Sequence, residues 1–215
     1  MRPITVTVGP LTAADGNGIC TSQTGVTTLA LNGALVTSGV AILDTARRVA
    51  ITSDSVDNDK YFTIVGTSAS GNTQTEVLLG PDTATVYTNL DFKTVTSVTV
   101  SATVTGNVEV GTNGVASSSW VMFDPYSFPQ VSLQCDVTGT VNYTVQQTLD
   151  DPNSTTNPTQ AYDCVWFDNP NADLVGETVS RQGSYAIAPL YVKVTLNSGD
   201  GVVKSTFIQF GSVVK

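Results

Sequence analysis

Three aspartates of the N-terminal half stand close enough together to bind a cation. Asp54, Asp57 and Asp59 flank Asn58, and their carboxylate and amide oxygens are ligands that calcium accepts. A calcium loop of the EF-hand type places its acids at alternate positions, followed by a glycine and a distal glutamate. The spacing here is different and no glycine follows. A solvated hairpin loop is therefore the favoured interpretation, and a weak cation site is the alternative.

A second acidic group could supply the paired acid and base of glycoside hydrolysis. Its members all lie in the C-terminal half: Asp150, Asp151, Asp163 and Asp168. Two features count against catalysis. Asp151 precedes Pro152 and so begins a turn, and the loop lacks the several aromatic side chains on which a sugar usually stacks. We expect the nearby Trp166 and Phe167 to close a hydrophobic core instead.

Other catalytic chemistry has no support in the sequence. The chain contains no histidine, which removes the usual general base at neutral pH and the commonest metal ligand. A nucleophilic serine would need a lysine as its base, and no lysine lies in a recognisable motif. Gly16-Asn17-Gly18 precedes no helical pattern, and Gly199-Asp200-Gly201 is typical of a hairpin turn, so no phosphate loop is predicted. We expect no catalytic, cofactor-binding or metal-binding residue, and no enzyme.

The composition limits the partners of the chain. Its formal net charge is −9, its pI is about 4.1, and only 13 % of its residues are charged, about half the usual share of roughly 25 %. A nucleic-acid-binding protein normally shows a basic stripe, which nine scattered lysines and arginines cannot make. Direct nucleic-acid binding is therefore not expected, whereas a basic protein surface is a suitable partner.

The cysteines and the N-terminus predict a reducing compartment. Cys20, Cys135 and Cys164 are too few for a disulfide framework. At most Cys135 and Cys164 could pair, and buried free thiols are the favoured interpretation. Residues 1–8 alternate like a strand and lack the apolar core of a signal peptide. No run of 18 apolar residues predicts a membrane span, so we expect a protein made and kept in the cytosol, or assembled into something there.

The hydrophobic pattern predicts an all-β chain. Val and Thr dominate, and turn residues recur every 8–12 residues, as in sandwiches and barrels. The predicted strands are residues 4–8, 27–31, 36–43, 48–52, 61–66, 75–79, 85–88, 94–102, 107–111, 131–137, 140–149, 164–167, 186–188, 190–196 and 202–210.

Three local features carry more specific predictions. Asn32-Gly33 separates two alternating segments and predicts a tight hairpin, because both residues tolerate positive φ. Residues 44–47 allow at most one helical turn. The odd step from Val95 to Val98 breaks strict alternation and indicates a bulge or a change of face.

The small residues at 111–119 predict a linker or an exposed crossing. We therefore expect two tandem β-sandwich domains, Ig-like or jelly-roll-like, at residues 1–115 and 116–215. Each is long enough to form its own core. The segment after the linker is rich in aromatic residues and carries two prolines. Its candidate interface residues are Trp120, Phe123, Tyr126 and Phe128. They form either a packed hinge between the halves or a rigid apolar anchor inserted into a neighbouring subunit.

Several segments together resemble a pattern found in virion proteins of tailed bacteriophages. They are RRVAITS (47–53), YFTIVGT (61–67) with Gly71 and Gln74–Glu76, FKTVTSV (92–98), VEVG (108–111), VTGTVNYTVQ (137–146), LDDP (149–152), Trp166-Phe167 and GSYA (183–186). The resemblance covers most of residues 1–211 and consists of strand-and-turn motifs. It carries no active site, so no functional residue is transferred.

This resemblance implies a structural subunit of a virion, assembled in the host cytoplasm. A capsid decoration or cement protein is the favoured role, and a head–tail connector or tail component is the near alternative. The implied partners are copies of the chain itself, the major capsid protein, or connector and tail proteins. Strands 4–8 and 202–210 could extend a neighbour's sheet. A carbohydrate- or receptor-binding module, with its site at loop 150–158 beside Trp166, is the alternative from another class.

Overall fold

The computed structural model describes residues 2–210, and its regular structure there is almost entirely β. The strands are β1 (Ile4–Val8), β2 (Cys20–Gln23), β3 (Thr28–Leu29), β4 (Val36–Thr37), β5 (Val40–Ser53), β6 (Tyr61–Thr67), β7 (Thr73–Leu79), β8 (Thr85–Val100), β9 (Val108–Ser117), β10 (Val121–Met122), β11 (Val131–Thr138), β12 (Asn142–Thr148), β13 (Phe167–Asp168), β14 (Arg181–Tyr185), β15 (Tyr191–Ser198) and β16 (Val202–Gln209). Two single 3-10 turns, Ala161–Asp163 and Ala172–Leu174, complete the regular elements of these residues. The predicted all-β class is confirmed.

The chain divides into two compact units. One, here called the inserted unit, is Thr12–Gly114. The other, the split unit, combines the N-terminal segment up to Leu11 with the chain from Val115 onward. This division differs from the expected ranges 1–115 and 116–215 in the placement of the N-terminal segment. The reason is that β1 pairs with β16, with Ile4 opposite Phe207.

The split unit has two sheets that share one core. Its first sheet is antiparallel and has the order β1-β16-β11-β14. In its second sheet β15 pairs with β12, and β12 with the short β13. Alternate side chains of both sheets meet in the core, among them Leu133 and Phe207 from the first sheet and Tyr143 and Val194 from the second. Burial of these side chains provides the main stabilisation of the unit.

This topology decides which strands could extend a neighbour's sheet. β1 lies at a sheet edge and keeps one open side. β16 lies between β1 and β11 and is paired along both sides. The expectation that residues 202–210 could add to a neighbour's sheet is therefore wrong, because their backbone groups are already bonded.

The inserted unit is built around two long strands. β5 pairs with β8, β8 with β6, and β6 with β7, all antiparallel. The short strands β2, β3 and β4 pair with β9, β8 and β5. Fully buried Val49, Ile51, Phe62, Phe92 and Val98 contribute to its interior.

Two local predictions in this unit are wrong. Residues 44–47 form no helical turn, because they lie inside β5. The tight hairpin falls at Ser38-Gly39, where φ is 52° and 80°, and joins β4 to β5. Asn32 instead accepts hydrogen bonds from the N–H and hydroxyl of Thr21, at 2.9 and 3.0 Å.

The predicted irregularity near Val95 is confirmed as a bulge. In the β6–β8 ladder Val65 lies opposite Ser97, whereas Gly66 lies opposite Val95. One extra residue of β8, Thr96, is thus accommodated. The bulge explains how Val95 and Val98 are both buried despite the odd step between them.

The predicted linker at residues 111–119 is wrong, because β9 continues through Ser117. Ala116, Ser117 and Ser118 are buried. A Cβ on Gly111 would lie 2.0 Å from the carbonyl oxygen of Asp15. Glycine is required there by close approach of two backbone segments and not by flexibility.

The three cysteines are free and buried. Cys135 and Cys164 do not pair. Burial raises the pKa of Cys20 to about 12, as expected for a thiol in apolar surroundings.

Candidate functional site

The acidic stretch at residues 54–59 is held by internal hydrogen bonds. Asp57 is fully buried and accepts bonds from the Ser53 hydroxyl and the Thr105 N–H, both at 2.8 Å. The Lys60 Nζ lies 3.0 Å from its Oδ1. Burial alone would raise the pKa of Asp57, but these donors lower it below its ordinary value. The solvated-loop interpretation is therefore wrong for Asp57.

Its two neighbours are also occupied by protein donors. Asp54 accepts from the backbone N–H and side-chain amide of Asn107, both at 2.7 Å. Asp59 Oδ1 lies 2.7 Å from the Nζ of Lys60. Within residues 2–210, no group of three or more acidic or cysteine side chains has the geometry of a metal site. The hydrogen bonds of this stretch join two loops.

Three of the four acids in the second group also stabilise loops. Asp150 accepts from the Val165 N–H at 2.7 Å, and Asp151 from the Asn153 N–H at 2.9 Å. Asp168 accepts from the Gln146 amide at 3.0 Å. These contacts order the chain around β12 and β13, which is a structural role.

Trp120 lies in an aromatic cluster of the split unit. Its ring packs edge-on against Trp166 at 4.8 Å and against Tyr191 at 5.9 Å, measured between centroids. The Lys193 Nζ lies 4.5 Å from the centroid of Trp166, a cation–π contact. Trp120 and Trp166 are each half-buried. Phe167 is largely exposed, so the expectation that it closes a core is wrong.

The remaining candidate interface residues divide between core and surface. Phe123 is buried, and its ring lies 6.1 Å from that of Phe207. Tyr126 is 96 % exposed and Phe128 is half-exposed. The segment thus anchors itself in its own unit through one aromatic side chain and presents two others to solvent.

A buried glutamine holds this segment in place. Gln209 on β16 donates through Nε2 to the carbonyl oxygens of Asp124 and Phe128, at 2.9 and 3.0 Å. Its Oε1 accepts from the Asp124 N–H at 2.9 Å. Asp124 Oδ1 in turn accepts from the Tyr126 N–H at 2.9 Å. Tyr126 therefore projects from an ordered turn.

Close by, the split unit exposes a concentrated set of aliphatic and aromatic side chains around a groove of about 510 Å³, here called the large groove. Leu149 and Ile187 are 78 % and 80 % exposed, and Val165 and Phe167 are exposed as well. The large groove is lined by Gln147, Thr148, Leu149, Asp150, Val165, Phe167, Ile187, Ala188 and Pro189. Residues 186–188, predicted as a strand, form an irregular wall of this groove instead.

A second groove, of about 280 Å³, adjoins the first. The two share Leu149, Ile187, Ala188 and Pro189. The small groove then continues along Pro125, Ser127 and Pro129, the segment that carries Tyr126 and Phe128. Together they form one apolar surface, extending from β13 to the turn held by Gln209. Soluble domains rarely expose so many large apolar side chains in one place without using them for binding.

The inserted unit carries a surface of a different kind, here called the uncharged face. It is the solvent side of the β7-β6-β8 ladder. The face consists of three rows of residues that lie opposite each other on neighbouring strands: Tyr61 and Leu79; Val77, Thr63 and Thr99; and Thr75, Val65 and Ser97. These side chains are exposed or half-exposed, and none of them is charged. β7 lies at the end of this sheet, with β6 as its neighbour.

Side chains on the opposite side of β7 attach this strand to β8. Glu76 points inward and accepts from the N–H groups of Asn89 and Leu90, at 2.7 and 2.8 Å. Gln74 donates to the Asp91 carbonyl oxygen at 2.9 Å. Burial raises the pKa of Glu76, and the negative charge of Asp91 adds to this increase. The polar side chains of β7 thus bond to β8 and leave its solvent side uncharged.

No protein-family model matches this chain, and no curated protein matches it. Among the described residues, no helix has the length and apolar character needed to span a membrane.

Sequence reasoning identified part of one surface and missed the other. Composition singles out the aromatic segment 120–128, whereas Leu149 and Ile187 fall within the predicted strands 140–149 and 186–188, and nothing in the strand pattern marks them as exposed. The uncharged face could have been found by reading 61–67 and 73–79 as paired strands, since their alternate residues are Tyr, Thr, Val and Leu without a charge.

Proposed function

We propose that this protein is a structural subunit that assembles with copies of itself and catalyses no reaction. The observation that carries the proposal is the uncharged face of the inserted unit, next to the open edge of β7. Six of the seven candidate acids have hydrogen-bond or ion-pair partners within the chain, in keeping with a non-catalytic role: Asp54, Asp57, Asp59, Asp150, Asp151 and Asp168.

The net negative charge of the chain favours a second copy as the partner that binds the uncharged face. A chain of net charge −9 repels its copies over most of its surface. Contact is least opposed where neither copy presents a charge. Exposed edge strands normally carry lysine, proline or other features that prevent pairing with a further strand. The solvent-facing row of β7 contains no such residue and consists of Thr73, Thr75, Val77 and Leu79. Antiparallel pairing of two β7 strands would give a symmetric contact.

The resemblance to virion proteins of tailed bacteriophages favours a particle as the assembly. We propose a capsid decoration or cement role in the virion, with a head–tail connector or tail component as the alternative. The partners would then be copies of the chain together with the major capsid protein or connector and tail proteins. We also propose that each of the two units is a β-sandwich. Contacts through neutral side chains suit such a role, because ion pairs at a surface contribute little and are weakened by salt.

The test is a charge placed on the uncharged face. Thr75 is exposed in the middle of β7, so Thr75→Lys should leave the fold intact and place like charges opposite each other in the contact. We expect the wild-type chain to sediment as a defined oligomer, and Thr75→Lys to weaken self-association at least tenfold. Thr37→Lys, also at an exposed strand position, is the matched control and should sediment as the wild type does.

A strictly monomeric wild-type chain at high protein concentration would contradict self-assembly. So would equal association of Thr75→Lys and wild type. The virion proposal has a separate test, co-sedimentation of the chain with purified phage heads or tails, and an absence of binding to both would contradict that part alone.

The aromatic cluster favours one second candidate, a carbohydrate- or receptor-binding module. Trp166 is half-exposed, and Gln146 and Asp168 provide hydrogen-bonding groups on the adjacent β12 and β13. Lys193 and Trp120 both pack against the Trp166 ring, so a sugar would contact the part of the ring that stays exposed. A glycan array probed with wild type and Trp166→Ala separates the two functions: loss of glycan binding with unchanged sedimentation supports this candidate.

A further inference from the structure

The two adjoining grooves of the split unit are not covered by any described part of the chain. Four exposed apolar side chains line the large groove: Leu149, Val165, Phe167 and Ile187. Burial of such apolar side chains against a partner is favourable. The grooves therefore offer enough apolar surface to bind a short extended segment.

The charges around the grooves indicate the charge of the partner that binds there. Asp150 lines the large groove and Asp124 lines the small one, whereas no lysine or arginine lines either. Asp168 follows Phe167 directly on β13. The nearby cation Lys193 is buried and stacks on Trp166. Residues 115–210 as a whole contain nine carboxylates and three cations. A second copy of this acidic chain would be repelled here, and a basic segment would be attracted.

Backbone and side-chain polarity favour a strand-like occupant. β13 ends its sheet, with β12 as its neighbour, so its outer side is an edge where an extended peptide can add. The Oε1 of Gln147, which lines the large groove, is buried and has no hydrogen-bond partner among the described residues. A peptide N–H in the groove would satisfy this acceptor.

We infer that the grooves bind an extended apolar segment of another protein, flanked by lysine or arginine. This inference rests on the proposed structural function and adds the chemistry of the partner. Apolar side chains of the segment fill the groove between Phe167 and Ile187, while its basic residues lie beside Asp150 and Asp124. The uncharged face of the inserted unit remains available for copies of the chain.

The experiment is selection from a library of displayed random peptides, each about ten residues long, enough to span roughly 30 Å when extended. The bait is the full chain, and Ile187→Asp serves for counter-selection. We expect enriched peptides to contain apolar residues bordered by lysine or arginine. Their affinity, measured by fluorescence anisotropy, should fall at least tenfold in Ile187→Asp and Leu149→Asp. Both residues are about four-fifths exposed, so these variants should fold.

Two controls make the result specific. Ile42→Asp changes an isoleucine of the inserted unit that is 52 % exposed and should leave peptide affinity unchanged. Asp150→Asn keeps an acceptor for the Val165 N–H but removes the charge, so it should weaken binding and reduce its salt dependence.

Three outcomes would overturn the inference: no enrichment, enriched peptides without basic residues, or equal binding to wild type and Ile187→Asp. If Ile187→Asp instead dissociates the oligomer, the occupant is a second copy. That result would overturn the inference about a basic partner but leave the structural function standing. Loss of self-association only in Thr75→Lys, with peptide binding unchanged, supports both proposals.

Discussion

Asp57 and Lys60 form an ion pair, with 3.0 Å between Oδ1 and Nζ, although both side chains are buried. The pair connects the β5–β6 loop to the loop before β9, because Asp57 also accepts from the N–H of Thr105. A calcium ion is unnecessary for this connection. The buried carboxylate has enough protein donors to remain ionised.

Asp57→Asn should destabilise the inserted unit by about 2 kcal/mol at neutral pH, because a buried acceptor loses its charge and one of its oxygens. The folded-state pKa of Asp57 is lowered from 3.8. Its stabilising contribution is therefore complete above pH 3.8 and is lost as the pH falls through the folded-state pKa. Urea unfolding between pH 3 and pH 7 should show the variant and wild type converging at the acidic end. A constant difference across this range would contradict the assignment.

Glu76→Gln should show the opposite dependence on pH. The folded-state pKa of Glu76 is raised from 4.5, so its contribution to stability is greatest below pH 4.5 and declines as the pH rises through the folded-state pKa. Glutamine cannot ionise and keeps one acceptor for the Asn89 and Leu90 N–H groups. The stability of wild type relative to the variant should therefore decrease from pH 4 to pH 8, measured by denaturant unfolding. An increase over this range would show that the carboxylate is stabilised by its charge.

Gln209→Ala should loosen the turn that presents Tyr126, because it removes both donors to the Asp124 and Phe128 carbonyl oxygens. We expect a loss of about 1–3 kcal/mol in unfolding free energy and faster hydrogen exchange at the Tyr126 and Asp124 amides. Gln130→Ala, a neighbouring exposed glutamine, is the control and should change neither. Unchanged exchange in Gln209→Ala would show that prolines 125 and 129 hold the turn without it.

The cysteines should be unreactive in the folded chain. Burial raises the pKa of Cys164 to about 11, and nearby Asp150 adds to this effect. Burial raises the pKa of Cys20 to about 12. At pH 8 the reactive thiolate is therefore scarce. Iodoacetamide should modify these thiols only after denaturant is added, as monitored by mass spectrometry, and rapid modification of the native chain would contradict the buried placement.

The sequence allowed the strands to be predicted where alternation was strict. Ile4–Val8 begins and ends as expected, and the odd step at Val95 correctly indicated a bulge. Arg47 shows what local patterns miss. It was assigned to a helical turn, yet it is buried within β5 and donates to Asp44 and to the carbonyl oxygens of Thr12 and Asn113. Thr12 and Asn113 are distant from Arg47 in sequence, so local propensity cannot reveal these two contacts.

Small residues were the second source of error. Glycine and serine at 111–119 have the composition of a linker, but in β9 they allow close backbone packing, as at Gly111. The apolar surface was missed for a related reason. Hydrophobic residues such as Ile187 are expected in a core, and only the three-dimensional arrangement shows that this one faces solvent.

The pairing of Ile4 with Phe207 has a consequence for synthesis. During translation β1 leaves the ribosome about two hundred residues before the strand that completes its sheet. Thr12–Gly114 is a compact unit that emerges in full long before β16, so we expect it to fold in the meantime. We therefore expect the nascent chain to carry an unpaired β1 after the inserted unit has folded. The split unit closes only when β16 emerges.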